Sequence, residues 1–247
     1  MKAFKAMLKT ELKLSIRGMD MFIFAICMPV VITVLIAIIY GNKPAFDGAN
    51  YTFLQQSFGA LTTIAICAGG VMGLPLVVSD YRNKKILKRF RVTPISPAMI
   101  LAVQLVIYTL YSIASLILVY GIASLFFSYK FQGSWGLFLS SYLLVMISIF
   151  SIGLMVGGIA KDTKIAGVIA SILYFPMLIF SGATLPYEVM PRILQKIADF
   201  LPLTQGIKLL KATSLGISVD NVITPIIVMV VIAIICIGVA LKFFKWE

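Results

Sequence analysis

Six long apolar runs dictate what this chain can fold into: Met21–Tyr40, Phe58–Val78, Ala98–Phe127, Leu137–Ala160, Ile165–Ala183 and Val222–Phe244. A hydrocarbon core about 30 Å thick takes around 20 helical residues at 1.5 Å each, and an open strand cannot satisfy its backbone there. The runs therefore predict an all-α polytopic membrane protein with six transmembrane helices. Composition agrees. Apolar residues make up 61% of the 247 and charged residues 12%, against roughly 45–50% and about 25% in soluble domains. The third run is long enough to tilt or project beyond the bilayer. Pro176 predicts a break or kink in the fifth run. Pro29 in the first is tolerable where neighbouring helices satisfy the freed carbonyl.

The net charge of +12 sits between these runs rather than in a basic domain of its own, which argues against nucleic acid as a partner. It reads instead as topology and as contact with membrane lipid head groups. Fifteen of the 21 Lys and Arg fall in the amino-terminal segment, the even-numbered loops and the tail, and six on the alternate side. Both termini are thus expected in the cytoplasm. Cys27, Cys67 and Cys236 all lie in apolar runs, where cysteine acts as a small hydrophobe, so no disulfide framework and no metal site is expected. The chain has no histidine, which removes imidazole general bases, Ser-His-Asp triads and histidine metal ligands.

Residues 1–20 do not read as a cleavable signal, because the apolar run behind their five cations is too long. Phe4, Leu8, Leu12 and Ile16 recur every four residues, and Lys5, Lys9, Lys13 and Arg17 follow one position later. On a helix these are adjacent apolar and basic stripes, which suits an interfacial amphipathic helix. An ordinary solvated helix is the alternative.

Two connecting segments stand out. In residues 79–97 Arg82, Lys84, Lys85, Lys88, Arg89 and Arg91 share ten positions with Asp80 at their head, and Ile86, Leu87 and Phe90 interrupt them at roughly helical spacing. Thr93-Pro94 and Ser96-Pro97 then stop the helix. A docking helix and a positive clamp that holds the loop in the cytoplasm both fit this pattern. In residues 184–221 Pro186, Pro191 and Pro202 divide a loop that stays apolar, and Ile193, Leu194, Ile197, Phe200 and Leu201 keep helical spacing. Such a piece is too short to span and predicts an outer re-entrant segment. Glu188 is its acid nearest the membrane, fitting either a functional group or a solvated rim residue. Gly69–Gly73 and Gly153–Gly157 match the small-x-x-x-small pattern of close helix approach, within the chain or between subunits. With no repeat and no low-complexity linker, residues 1–247 are expected to form one membrane domain.

These segments carry a resemblance. Asp80 to Ile86 followed by Phe90-Arg91-Val92-Thr93-Pro94-Ile95-Ser96, Pro176-Met177 through Ser181-Gly182, and Leu201-Pro202-Leu203-Thr204 are similar to the motifs of type-2 ABC transporter permeases, the drug- and polysaccharide-exporting group. The family's usual Gly-Thr in the first motif is replaced by Asn83-Lys84-Lys85-Ile86. The resemblance implies a non-catalytic permease with a separate cytoplasmic ATP-binding subunit that holds ATP and Mg, this chain having no cofactor. The sequence has no G-x-x-x-x-G-K-[ST] loop to cradle phosphates. The loop would be a cytoplasmic coupling helix, with Asp80, Arg82, Lys84, Lys85, Lys88, Arg89, Thr93, Pro94 and Ser96 facing the ATPase. A second permease chain, identical or not, would enclose a path between spans two and five. Thr62, Thr63, Tyr174, Phe175, Met177 and Phe180 are candidate lining for an apolar or amphipathic substrate, although packing or lipid contact suits them as well. Pro186, Glu188 and Pro202 would belong to an outer gate loop.

The implied function is export of a small molecule, with a drug-like or antimicrobial compound favoured, across a bacterial plasma membrane. A channel or secondary carrier working without an ATPase is the alternative. Ion-coupled carriers normally place charged groups inside their spans, and the interiors of these six runs hold none. An intramembrane enzyme would need paired acids, a nucleophile with its base, or metal ligands at membrane depth, and the runs supply none of them.

Overall fold

A computed structural model describes residues 2–40, 43–46, 48–84, 97–182, 187, 190–217 and 222–243. The described residues contain six helices long and apolar enough to cross a membrane. They also hold helices and a single isolated bridge, Pro44 to Thr52, but no strand. In chain order the elements are α1 (Lys2–Gly18), span one α2 (Asp20–Tyr40), span two α3 (Phe53–Asn83) and span three α4 (Pro97–Phe127). Span four α5 (Trp135–Ile159), span five α6 (Thr163–Phe180), the short α7 (Arg192–Asp199) and α8 (Pro202–Leu215), and span six α9 (Ile223–Phe243) follow.

Span two is the axis of the bundle. It starts from a capping box, in which Thr52 Oγ1 accepts from the Gln55 amide at 3.2 Å and the Thr52 amide donates to Gln55 Oε1 at 2.8 Å. Nearly every residue from Phe53 to Val71 is buried. Lipid tails are as apolar as leucine, so helices associate through close packing and interhelical hydrogen bonds. Both are present. A Cβ placed on Gly153 of span four would meet the carbonyl oxygen of Gly70, and Cβ atoms on Gly69 or Gly73 would meet Tyr108 of span three. These glycine faces thus serve packing within the chain. Ser148 Oγ of span four donates to the Met229 carbonyl of span six at 2.7 Å, and Tyr142 Oη to the Ser112 carbonyl of span three at 2.8 Å.

Two helical irregularities sit just ahead of prolines. Ile23–Cys27 and Ala68–Gly73 are π-helical, closed by Met28 N–H to the Ile23 carbonyl and Leu74 N–H to the Gly69 carbonyl. Pro29 and Pro75 follow, and a widened turn accommodates a residue that lacks N–H and crowds the carbonyl four positions back. Pro176 behaves otherwise. Span five runs through it as one helix, so of the break or kink expected there the break is absent.

The lead-in helix α1 lies against spans one and three. Met7 is buried with Ala25, Ile26, Ile100, Val103, Ile107 and Tyr111, and Phe4, Leu8 and Leu12 of the apolar stripe pack on this cluster. Lys5, Lys9, Lys13 and Arg17 are all exposed. The stripe therefore docks on protein through Phe4, Leu8 and Leu12, while Ile16 stays exposed. Met19, in the left-handed region at φ 59°, turns the chain from α1 into span one.

Candidate functional site

Two regions collect the residues singled out above. The first is the approach to the basic loop. Glu11 of α1 reaches the last turns of span two, where its Oε2 accepts from Tyr81 Oη at 2.5 Å. The same oxygen accepts from Gln104 Nε2 of span three at 2.9 Å, and Gln104 also donates to Tyr81 Oη at 3.2 Å. Both flanks of the basic loop are thereby tied to one carboxylate of the lead-in helix. Asp20 and Asp80 line the same cavity of about 290 Å³ as Glu11, an acidic recess in a cationic chain.

Asp80 pairs with Lys84 at 2.9 Å on an exposed helix face, a geometry worth only a few tenths of a kcal/mol. Arg82 Nη1 donates to the Gly158 carbonyl at 2.9 Å, occupying one of the open acceptors at the end of span four. Lys85, Lys88, Arg89, Thr93, Pro94 and Ser96 lie outside the described residues, as do Pro186 and Glu188. Glu11, Tyr81 and Gln104 were missed in the sequence because each is an isolated polar residue whose partners lie 23 to 93 positions away.

The second region is the seam between spans two and five. Thr62 and Thr63 are fully buried and return their hydroxyls to the Gly59 and Ala60 carbonyls at 2.9 and 2.7 Å. Tyr174 and Met177 are buried, whereas Phe175 is 52% exposed, its ring edge-on to that of Tyr174 at 5.5 Å, and Phe180 is half-buried. Phe175 is thus the most exposed of the candidates while still touching Tyr174. Pro202 opens α8, where its missing N–H leaves no helical bond unmade.

Above this seam α8 wedges against spans two, four, five and six. Gly59 and Gly206 admit it: a Cβ on Gly59 would strike the backbone of Leu210 and Lys211, and one on Gly206 would strike Val145. The loop after span three joins in through Gly133 N–H, which donates to the Ser214 carbonyl at 2.9 Å. α7 instead leaves Ile193, Ile197 and Phe200 largely exposed, so its apolar spacing faces outward. Between α8, the first turns of span two and the end of span five lies a cavity whose wall mixes apolar Ala60 and Ile207 with Gln56, Ser181, Thr204, Tyr187, Lys208 and Lys211. Ser181 and Thr204 stand in the Ser-Gly and Leu-Pro-Leu-Thr motifs, which was the signal available for them.

Residues 2–215 match the model of the ABC-2 type transporter family. The chain belongs to that family. It is 26% identical over 175 residues to the inner membrane transport permease YhhJ of Escherichia coli (strain K12), covering 69% of this chain and 44% of that protein. The Shigella flexneri YhhJ matches to the same extent. Nodulation protein J of Rhizobium leguminosarum bv. viciae is 36% identical over 72 residues, 29% of this chain and 28% of that one. The chain thus spans less than half the length of these relatives. Members of this ABC-2 family are multi-pass, non-catalytic transport subunits that in general work with an ATP-binding partner.

Proposed function

We propose that this chain is the membrane half of an ATP-driven exporter, moving a hydrophobic or amphipathic compound outward across the plasma membrane by alternating access. Residues 1–247 act as one permease domain with both termini cytoplasmic, in keeping with the Lys/Arg distribution. A second permease chain completes the path, and a separate ATPase drives it. A drug-like or antimicrobial compound suits the apolar and methionine-containing seam. The observation that carries the reading is the Glu11 link to Tyr81 and Gln104, because a push on the basic loop would reach α1 and spans two and three together. The coupling residues Asp80, Arg82, Lys84, Lys85, Lys88, Arg89, Thr93, Pro94 and Ser96 form the receiving surface. Thr62, Thr63, Tyr174 and Met177 lie beside the path, with Pro186, Glu188 and Pro202 in its outer gate.

The test is reconstitution with a cognate ATP-binding subunit, which this reading expects a neighbouring gene to encode. Charge reversal at Lys84, Lys85 and Lys88 should abolish co-purification or uncouple ATP hydrolysis from transport. Unchanged assembly and turnover after the reversal would remove the coupling role. Pumping by this chain alone would favour a secondary carrier.

A further inference from the structure

Spans three and four follow each other in the chain, yet a groove of about 490 Å³ separates them on the outer face of the bundle. Leu116, Tyr142 and Met146 form its buried floor. Ile117 of span three and Leu139 of span four form its walls and are 64% and 50% exposed. Across the floor Tyr142 Oη donates to the Ser112 carbonyl at 2.8 Å, and at one end the rings of Tyr120 and Trp135 meet edge-on at 4.9 Å. These contacts tie the two helices together and leave the space between them open.

Dimensions narrow the choice of occupant. From Trp135 to Met146 the groove runs about 16 Å along span four. That is half of a hydrocarbon core about 30 Å thick, the depth of one leaflet. Its volume spread over that length gives a cross-section of roughly 30 Å². A helix 10–12 Å across fills about 80–110 Å², so neither a second copy of this chain nor another protein can seat a helix there.

Chemistry agrees with a narrow apolar occupant. No charged residue is among those that line the groove, and the Tyr142 hydroxyl on its floor is already spent. Apolar gaps of this kind stay dry, and an unfilled one forfeits the contacts of both walls. Trp and Tyr collect at the head-group level of a bilayer, which sets the Tyr120–Trp135 end at the interface and the rest among the acyl chains.

We propose that this groove seats one acyl chain of a membrane phospholipid, entering at Tyr120 and Trp135 and running to Met146. The chain fills the gap, so that spans three and four pack through it. This proposal depends on neither the direction of transport nor an ATPase, so its failure would leave the permease reading intact.

The test uses the purified full chain with Trp246→Phe, which leaves Trp135 as the only tryptophan, in a large excess of neutral detergent. The probe is phosphatidylcholine brominated on one chain, added in small amounts so that lipid outside a site is diluted among the micelles. Quenching of Trp135 should saturate at one lipid per chain, and unbrominated phosphatidylcholine should reverse it. Glycerophosphocholine, the same head group without chains, should not. Bromines near the carboxyl end of the chain should quench more than bromines near its methyl end, because Trp135 stands at the mouth. In the double variant Ile117→Phe/Leu139→Phe, whose rings fill the groove from both walls, the affinity should fall about tenfold or more. Ile172→Phe, on an exposed face of span five, should bind like the parent. If the double variant unfolds earlier than the parent, the dependence on bromine position decides without it. Equal quenching from both bromine positions, reversal by glycerophosphocholine, or undiminished affinity in a stably folded double variant would overturn the proposal. Quenching lost when the chain dimerises would overturn it too and assign the groove to a second copy.

Discussion

The carboxylate of Glu11 accepts the hydroxyl of Tyr81 at 2.5 Å across 70 positions of sequence, with Gln104 on the same oxygen. A hydrogen bond to a charged group contributes about 1.5–3 kcal/mol, so this contact outweighs the exposed Asp80–Lys84 pair near it. Glu11→Gln and Tyr81→Phe should each destabilise the folded chain in detergent by about 1–2 kcal/mol. The double variant should lose clearly less than the sum of the two. Thermal unfolding of the four proteins closes the cycle, and strict additivity would mean that the contact does not join α1 to span two.

Spans two and four approach most closely where Gly153 faces the Gly70 carbonyl. The methyl of Gly153→Ala can be admitted only by moving backbone, with an expected loss of about 1–3 kcal/mol. Gly121 of span three has nothing within 4 Å of an added Cβ, so Gly121→Ala is the matched control and should unfold like the parent. Equal melting of the two variants would show that the seam has slack.

Much of this architecture is legible in the sequence. The run Ala98–Phe127 lies within one observed helix, and of the stripe Phe4, Leu8, Leu12 and Ile16 the first three pack on the bundle while Ile16 is exposed. These features are local, since span length and helical period are written in consecutive residues. The apolar run Phe58–Val78 is shorter than the helix of span two, Phe53–Asn83, because Gln55, Gln56, Asp80 and Arg82 break the run without ending the helix. Tertiary partners explain two of them: Gln55 Nε2 donates to the Lys130 carbonyl at 2.9 Å, and Arg82 holds the end of span four. The π-helical turns before Pro29 and Pro75 had a signal in those prolines, yet the unbroken helix through Pro176 shows that proline alone does not decide. Of the candidate site, the seam residues were readable as apolar and small. The Glu11 junction and the cavity under α8 were not, since both exist only once distant segments meet.

Ser148 hydrogen-bonds span four to span six, donating to the Met229 carbonyl at 2.7 Å while also reaching the Leu144 carbonyl at 2.9 Å. Interhelical bonds of this type contribute about 0.6–1.7 kcal/mol in membranes. Ser148→Ala should cost that much and no more, because the remaining packing of the two helices is unchanged. A loss well above about 2 kcal/mol would indicate that the serine supports more than this single bond.

Phe58 is fully buried at the start of span two, with the rings of Tyr129, Phe138, Tyr120 and Phe131 centred 4.8, 5.6, 6.2 and 6.3 Å away. Phe131 stacks in turn on Trp135 at 4.1 Å, so the cluster joins span two to the loop after span three and to the first turn of span four. Phe58→Ala should cost about 3–5 kcal/mol by opening a cavity that these large rings cannot fill. Phe58→Leu, nearer in volume, should cost less than half as much. Trp135 offers a local reporter, because the only other tryptophan is Trp246. In a Trp246→Phe background, Phe58→Ala should shift Trp135 emission to longer wavelength as water enters beside Phe131. If emission stays fixed while stability falls, the damage lies along span two and the aromatic cluster is not its route.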